Sequence, residues 1–65
     1  MYRLTVQTKG KRGWYSHPVT LEKSDDLEPL VNKITYLKER GRKYSVFRYD
    51  EDTGKWTRII TKEVK

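Results

Sequence analysis

Within the stretch KGKRGWY, Lys9, Lys11 and Arg12 supply three cations, and Trp14 and Tyr15 follow directly. Cations attract phosphate whatever the base, and aromatic rings offer faces on which bases stack for about 1–3 kcal/mol each. These two residue types side by side point to nucleic-acid binding, with Lys9, Lys11 and Arg12 on phosphates and Trp14 and Tyr15 stacking on or intercalating between bases. A second basic run, Lys38, Arg40, Arg42 and Lys43, extends the track. Other chemistry is poorly supplied. His17, the single histidine, is the only side chain whose ordinary pKa lies near neutrality, yet no Cys and no Ser–Asp arrangement accompanies it, so no enzymatic role is expected. The tetrad GKRG lacks the strand-to-helix setting of a phosphate loop. Asp50-Glu51-Asp52 is followed by glycine at the fifth position of the stretch, whereas a calcium loop needs it at the sixth, so this reads as a solvated acidic turn. No metal or other cofactor is implied.

Composition narrows the setting. The chain has 65 residues, a net charge of +6 and a pI near 9.7, a balance that favours polyanionic partners. A folded chain of this size buries only about 60% of the surface its unfolded form exposes. Without cysteine, and with one histidine, neither disulfides nor a metal centre reinforces the core, which makes a second copy of the chain, as a homodimer, a candidate partner. The absence of cysteine suits a reducing compartment, and no apolar run approaches the roughly 18 residues of a membrane span; the expectation is a soluble, cytoplasmic protein with no membrane partner.

The elements that must hold these groups are legible from periodicity. Residues 2–9 alternate between Tyr2, Leu4, Val6, Thr8 and Arg3, Thr5, Gln7, Lys9, the period of a half-buried strand. Gly10 to Gly13 form a hairpin loop, and a second alternating strand is expected at 14–21, at an edge or broken at Pro18, which has no N–H to donate. Leu27, Leu30, Val31, Ile34 and Leu37 draw one apolar stripe on a helix expected over 26–40, capped by Asp25 or Asp26, with Pro29 in its first turn and Gly41 ending it. Strands are expected at 43–49 and 55–61 around the acidic turn, with 62–65 as a frayed tail. The result is a single α+β domain of order ββαββ, a four-stranded, mainly antiparallel sheet with one amphipathic helix packed on one face.

One helix covers one face of such a sheet, so the other meets water or a partner. Leu4, Val6, Val19 and Leu21 are expected under the helix, which leaves Arg3, Thr5, Gln7, Lys9, Trp14, Ser16 and Thr20 on the open face. In the third strand Phe47 is expected inward, because burying Arg48 unpaired is expensive; Tyr44 and Arg48 then join the open face. The residues expected to bind nucleic acid are Arg3, Lys9, Lys11, Arg12, Trp14, Lys43, Arg48 and Arg58. The competing reading is a protein-interaction module or inhibitor that docks its aromatic-rich sheet or an edge strand on an acidic partner protein, since aromatics and Arg also dominate protein hot spots. A small, highly charged chain of either kind suits a phage or mobile element.

Overall fold

The alternating first strand pairs on both sides, and the sheet grows outward from it. The computed structural model describes all residues 1–65: β1 (Tyr2–Thr8), β2 (Val19–Ser24), α1 (Glu28–Tyr36), β3 (Arg42–Asp50) and β4 (Lys55–Val64). The strand order is β2-β1-β3-β4, with every neighbouring pair antiparallel. Both β2 and β3 are antiparallel to β1 and hence parallel to each other. Joining them takes a crossover, which α1 supplies. The fold is the α+β, ββαββ arrangement expected, with no helix long and apolar enough to cross a membrane.

Leu4, Leu30, Ile34, Tyr44 and Val46 form the buried core, and Tyr2, Val6, Leu27, Leu37, Ile60 and Val64 pack around it. The helix that covers them is shorter than its apolar stripe suggests. Its N-cap is Leu27, without a side-chain cap, and Leu37 ends it by turning extended at ψ 112°. Neither Asp25 nor Asp26 caps; instead the Asp26 amide donates to Ser24 Oγ at 3.1 Å. At the other end Lys62 Nζ donates to the carbonyls of Ile34 (2.9 Å) and Thr35 (3.2 Å), satisfying helix-end acceptors that would otherwise need a further turn. Residues 38–40 are therefore not helical. Gly41, at φ 75°, serves the entry to β3.

Two strand boundaries and the regularity of the outer strands also differ from expectation. The second strand begins at Val19 rather than residue 14, because Pro18 has no amide to give and the Ser16 hydroxyl takes the Thr8 amide at 3.0 Å, interrupting the ladder. Only Lys9 and Tyr15 bridge before the break. The expected tail is paired: Lys62, Glu63 and Val64 stand opposite Tyr44, Lys43 and Arg42, which β3 offers by starting early. Finally, each outer strand carries an extra residue. Glu22 and Thr20 pair with Leu4 and Thr5, leaving Leu21 over, and Ile60 and Arg58 pair with Val46 and Phe47, leaving Ile59 over. These are β-bulges, which reverse the facing of every residue beyond them.

Nine helical residues span about 14 Å, whereas nine strand residues span about 30 Å. The helix reaches β2, where Lys33 meets Glu22 at 3.3 Å, and β4, where Lys62 meets its end. The corners it leaves are open, so Val19 and Leu21 are 60% and 43% exposed rather than covered. Tyr44, two residues from Val46 and opposite Val6, shares the core side of β3 and at 3% exposure belongs to the core and not to the open face. Arg48, opposite Tyr2 and Thr57, lies on the helix side of the sheet yet stays exposed in an uncovered corner. The desolvation cost that argued for Phe47 inward does not arise.

Candidate nucleic-acid interface on the open sheet face

Register fixes what the face away from the helix presents. One row across all four strands reads Lys23, Arg3, Phe47, Arg58; the next reads Thr20, Thr5, Ser45, Thr61; a third reads Gln7, Lys43, Glu63. Tyr49 and Trp56 stand opposite each other beyond the first row. Alternation in β1 places Arg3, Thr5 and Gln7 there. The bulge at Ile59 lets β4 place Trp56 and Arg58 on this face while Ile60 and Val64 face the core.

Cations and rings interleave at one end of the face. The Arg3 guanidinium carbon lies 4.4 Å from the Trp56 ring centroid and 5.4 Å from that of Phe47, and Arg58 lies 5.5 Å from Phe47. Tyr49 and Trp56 pack at 5.1 Å between centroids, tilted by 55°. A guanidinium held over a ring gains about 0.5–1 kcal/mol at exposed sites while keeping its charge. No carboxylate pairs with Arg3 or Arg58; the ion pairs of the chain are Lys33–Glu22 and Arg42–Glu39, neither on this face. Arg3 Nε is buried without a hydrogen-bond partner, as are Thr5 Oγ1 and Ser45 Oγ in the adjoining row.

The other end is organised by Tyr15. Its hydroxyl donates to Glu63 Oε1 at 2.7 Å, and Lys43 Nζ lies 5.3 Å from the centre of its ring. That hydrogen bond holds the Tyr15 pKa above and the Glu63 pKa below their ordinary values, with Lys65, Lys43 and Lys9 adding to the second effect. Glu63 is thus the one carboxylate on the open face, and Tyr15 occupies it. Beyond lies the basic loop, closed by Gly13 N–H to the Gly10 carbonyl (3.0 Å) and Gly10 N–H to the Trp14 carbonyl (2.8 Å), with Gly13 at φ 83°. Lys11 and Arg12 are exposed at its tip.

Of the residues expected from sequence, Arg3, Lys43 and Arg58 share the open face. Lys9 lies at its end, and Lys11 and Arg12 continue from it. Trp14 does not belong to it: Tyr15, bridged to Lys9, takes the open-face position expected of its neighbour, and Trp14 is 78% exposed without a ring or cation contact. Arg48 is on the opposite side. Alternation mislaid Tyr15, the expected cost of burying Arg48 mislaid Phe47 and with it Tyr49, and alternation left the facing of Trp56 undecided. Lys23, expected in no element, is brought to the face by the Leu21 bulge.

Charge is polarised along the strand direction. Asp25, Asp26 and Glu28 follow β2, and Asp50, Glu51 and Asp52 form the β3–β4 turn, so six of the nine acidic residues gather at the end where β1 begins. Lys9, Lys11, Arg12, Arg40, Arg42 and Lys43 gather where β1 ends. Asp50 is occupied by its own turn, accepting from the Asp52 amide at 2.9 Å. No protein-family model matches the chain, and no curated protein or solved structure does so either.

Proposed function

We propose that this chain is a small, non-enzymatic nucleic-acid-binding protein that uses the open sheet face and the basic loop 9–15. One observation carries the reading: Arg3, Phe47, Trp56 and Arg58 interleave on a face no helix covers, with no carboxylate paired to either guanidinium. Such a surface supplies what a nucleic acid requires of a non-specific partner, positive charge for phosphate and flat π-surface for bases. Lys43, Lys9, Lys11 and Arg12 extend the positive track, and the acidic turn at the far end repels a polyanion and so orients it.

The test is fluorescence anisotropy of labelled oligonucleotides at several salt concentrations. Affinity should fall steeply between about 50 and 200 mM salt, as counterion release demands, and Arg3→Glu should abolish most of it. Salt-insensitive or absent binding defeats the reading. Tight one-to-one association with an acidic protein, resistant to nuclease, would then put the aromatic face in a protein interface instead.

A further inference from the structure

We infer that the open face accepts a single strand, with its bases unstacked, rather than a duplex; this rests on the nucleic-acid reading above and narrows its ligand. The rings of Phe47, Tyr49 and Trp56 can be reached only by a base whose own face is free. In a duplex every base face is already covered by its neighbours, and a protein meets only base edges and phosphates. Those rings would then contribute nothing, and the face would be left with scattered cations.

Spacing points the same way. Arg3 lies between Phe47 and Trp56, with ring centres 5.4 and 4.4 Å from its guanidinium carbon. A phosphate held by Arg3 therefore has a stacking surface within about one side chain's width. In single-stranded chains phosphate and free base belong to the same nucleotide and fit that separation. In B-form DNA the phosphate rows flank a major groove about 12 Å wide, and no base face is presented beside them.

No other element suits a groove. The helix lies on the opposite side, and its exposed residues, Glu28, Pro29, Asn32, Thr35 and Tyr36, include no cation. The β3–β4 hairpin, the longest pair in the sheet, ends in Asp50, Glu51 and Asp52, which phosphates would repel. The strand's path follows β1 and β3, from the rings near Trp56 toward Lys43, Tyr15 and the basic loop. From Tyr49 to Lys43 this is roughly 20 Å at about 3.4 Å per residue. A continuing backbone leaves over Lys9, Lys11 and Arg12, away from the acidic turn.

The experiment uses the Trp14→Phe chain, in which Trp56 is the only tryptophan. A labelled single-stranded dodecamer and the same sequence annealed to its complement are titrated at about 50 mM salt, with anisotropy and Trp56 emission followed together. The single strand should bind at least roughly tenfold tighter and quench Trp56, as stacking requires, while the duplex should leave emission unchanged. Trp56→Ala should lose roughly ten- to a hundredfold in single-strand affinity, and Trp56→Phe, which keeps a ring and guards against a folding artefact, should retain most of it. Equal or tighter duplex binding, or single-strand binding without quenching, overturns this inference and leaves the broader reading standing. Failure of both oligonucleotides to bind removes the broader reading itself.

Discussion

Replacing Thr5 with valine should make the protein more stable, although the residue is central to the sheet. Thr5 is 2% exposed and Ser45, directly opposite, 1% exposed, and neither hydroxyl has a hydrogen-bond partner. A buried hydroxyl that exchanges its water for nothing costs about 1–3 kcal/mol. Valine keeps the branched shape and replaces the hydroxyl with a methyl, so no cavity opens, and β-branching still suits the strand. Thr5→Val should therefore gain about 1–2 kcal/mol, and since 1 kcal/mol moves the midpoint of a domain this small by about 4–8 °C, the melting temperature should rise by roughly 4–15 °C. Thermal melts by circular dichroism, checked by urea titration, read this directly. A lower midpoint would show that the Thr5 hydroxyl is satisfied in solution, and the account of the open face as carrying an uncompensated polar seam would have to be abandoned.

Other perturbations address separate parts of the molecule. Lys62→Met removes the ammonium from the carbonyls of Ile34 and Thr35 and should destabilise by about 1–2 kcal/mol, seen as a lower urea midpoint with reduced helical ellipticity; an unchanged midpoint would show that water caps the helix equally well. Because Glu63 is held below its ordinary pKa, its contribution is present above pH 4.5 and lost as pH falls through its lowered value; because Tyr15 is held above 10, its contribution is present below pH 10 and lost as pH rises through the raised one. Tyr15→Phe should flatten both limbs of the stability profile, and identical profiles for the two proteins would contradict the bond. Joint replacement of Lys11 and Arg12 by Glu should weaken oligonucleotide binding strongly and reduce its salt slope by about 1–2, whereas Arg48→Ala, on the helix side, should leave both within experimental error. An Arg48 effect as large as that of Arg3→Glu would mean that the wrong face has been assigned.

Much of this architecture is readable in the chain, and the parts that are not share physical causes. Alternation from Tyr2 to Thr8 gives β1 its core and open sides correctly, so Arg3 reaches the open face as expected. The stripe Leu27, Leu30, Ile34, Leu37 marks the helix, but a stripe records which residues meet the core, not where the backbone stops being helical. Leu37 packs against the core from an extended conformation. The inversion of β3 follows from that one difference. With a helix as long as the strand, Arg48 would be buried and Phe47 the better inward residue; with a nine-residue helix Arg48 stays in water, and Tyr44 and Val46 take the core. Bulges at Leu21 and Ile59 are set by the partner strand's register, which no local pattern encodes, and they decide where Lys23, Trp56 and Arg58 point. In the first hairpin the tight glycine loop is legible, while the exchange of Trp14 for Tyr15 depends on Glu63, forty-eight residues away.

The extra residues in β2 and β4 also bear on how the protein behaves in a crowd. A flat outer strand is a template on which a neighbour's strand can add, and repeated addition grows ribbons. Here both outer strands lose regular donor and acceptor spacing near mid-length, at Leu21 and at Ile59, and a bulge adds local twist. A visiting strand could match only a few residues on either side before falling out of step. Pairing Ile59 with Phe47 in the ladder would restore an even edge, but it would turn Arg58 and Trp56 toward the helix side. The same irregularity that delivers those two side chains to the open surface thus limits how far copies of the sheet can extend one another.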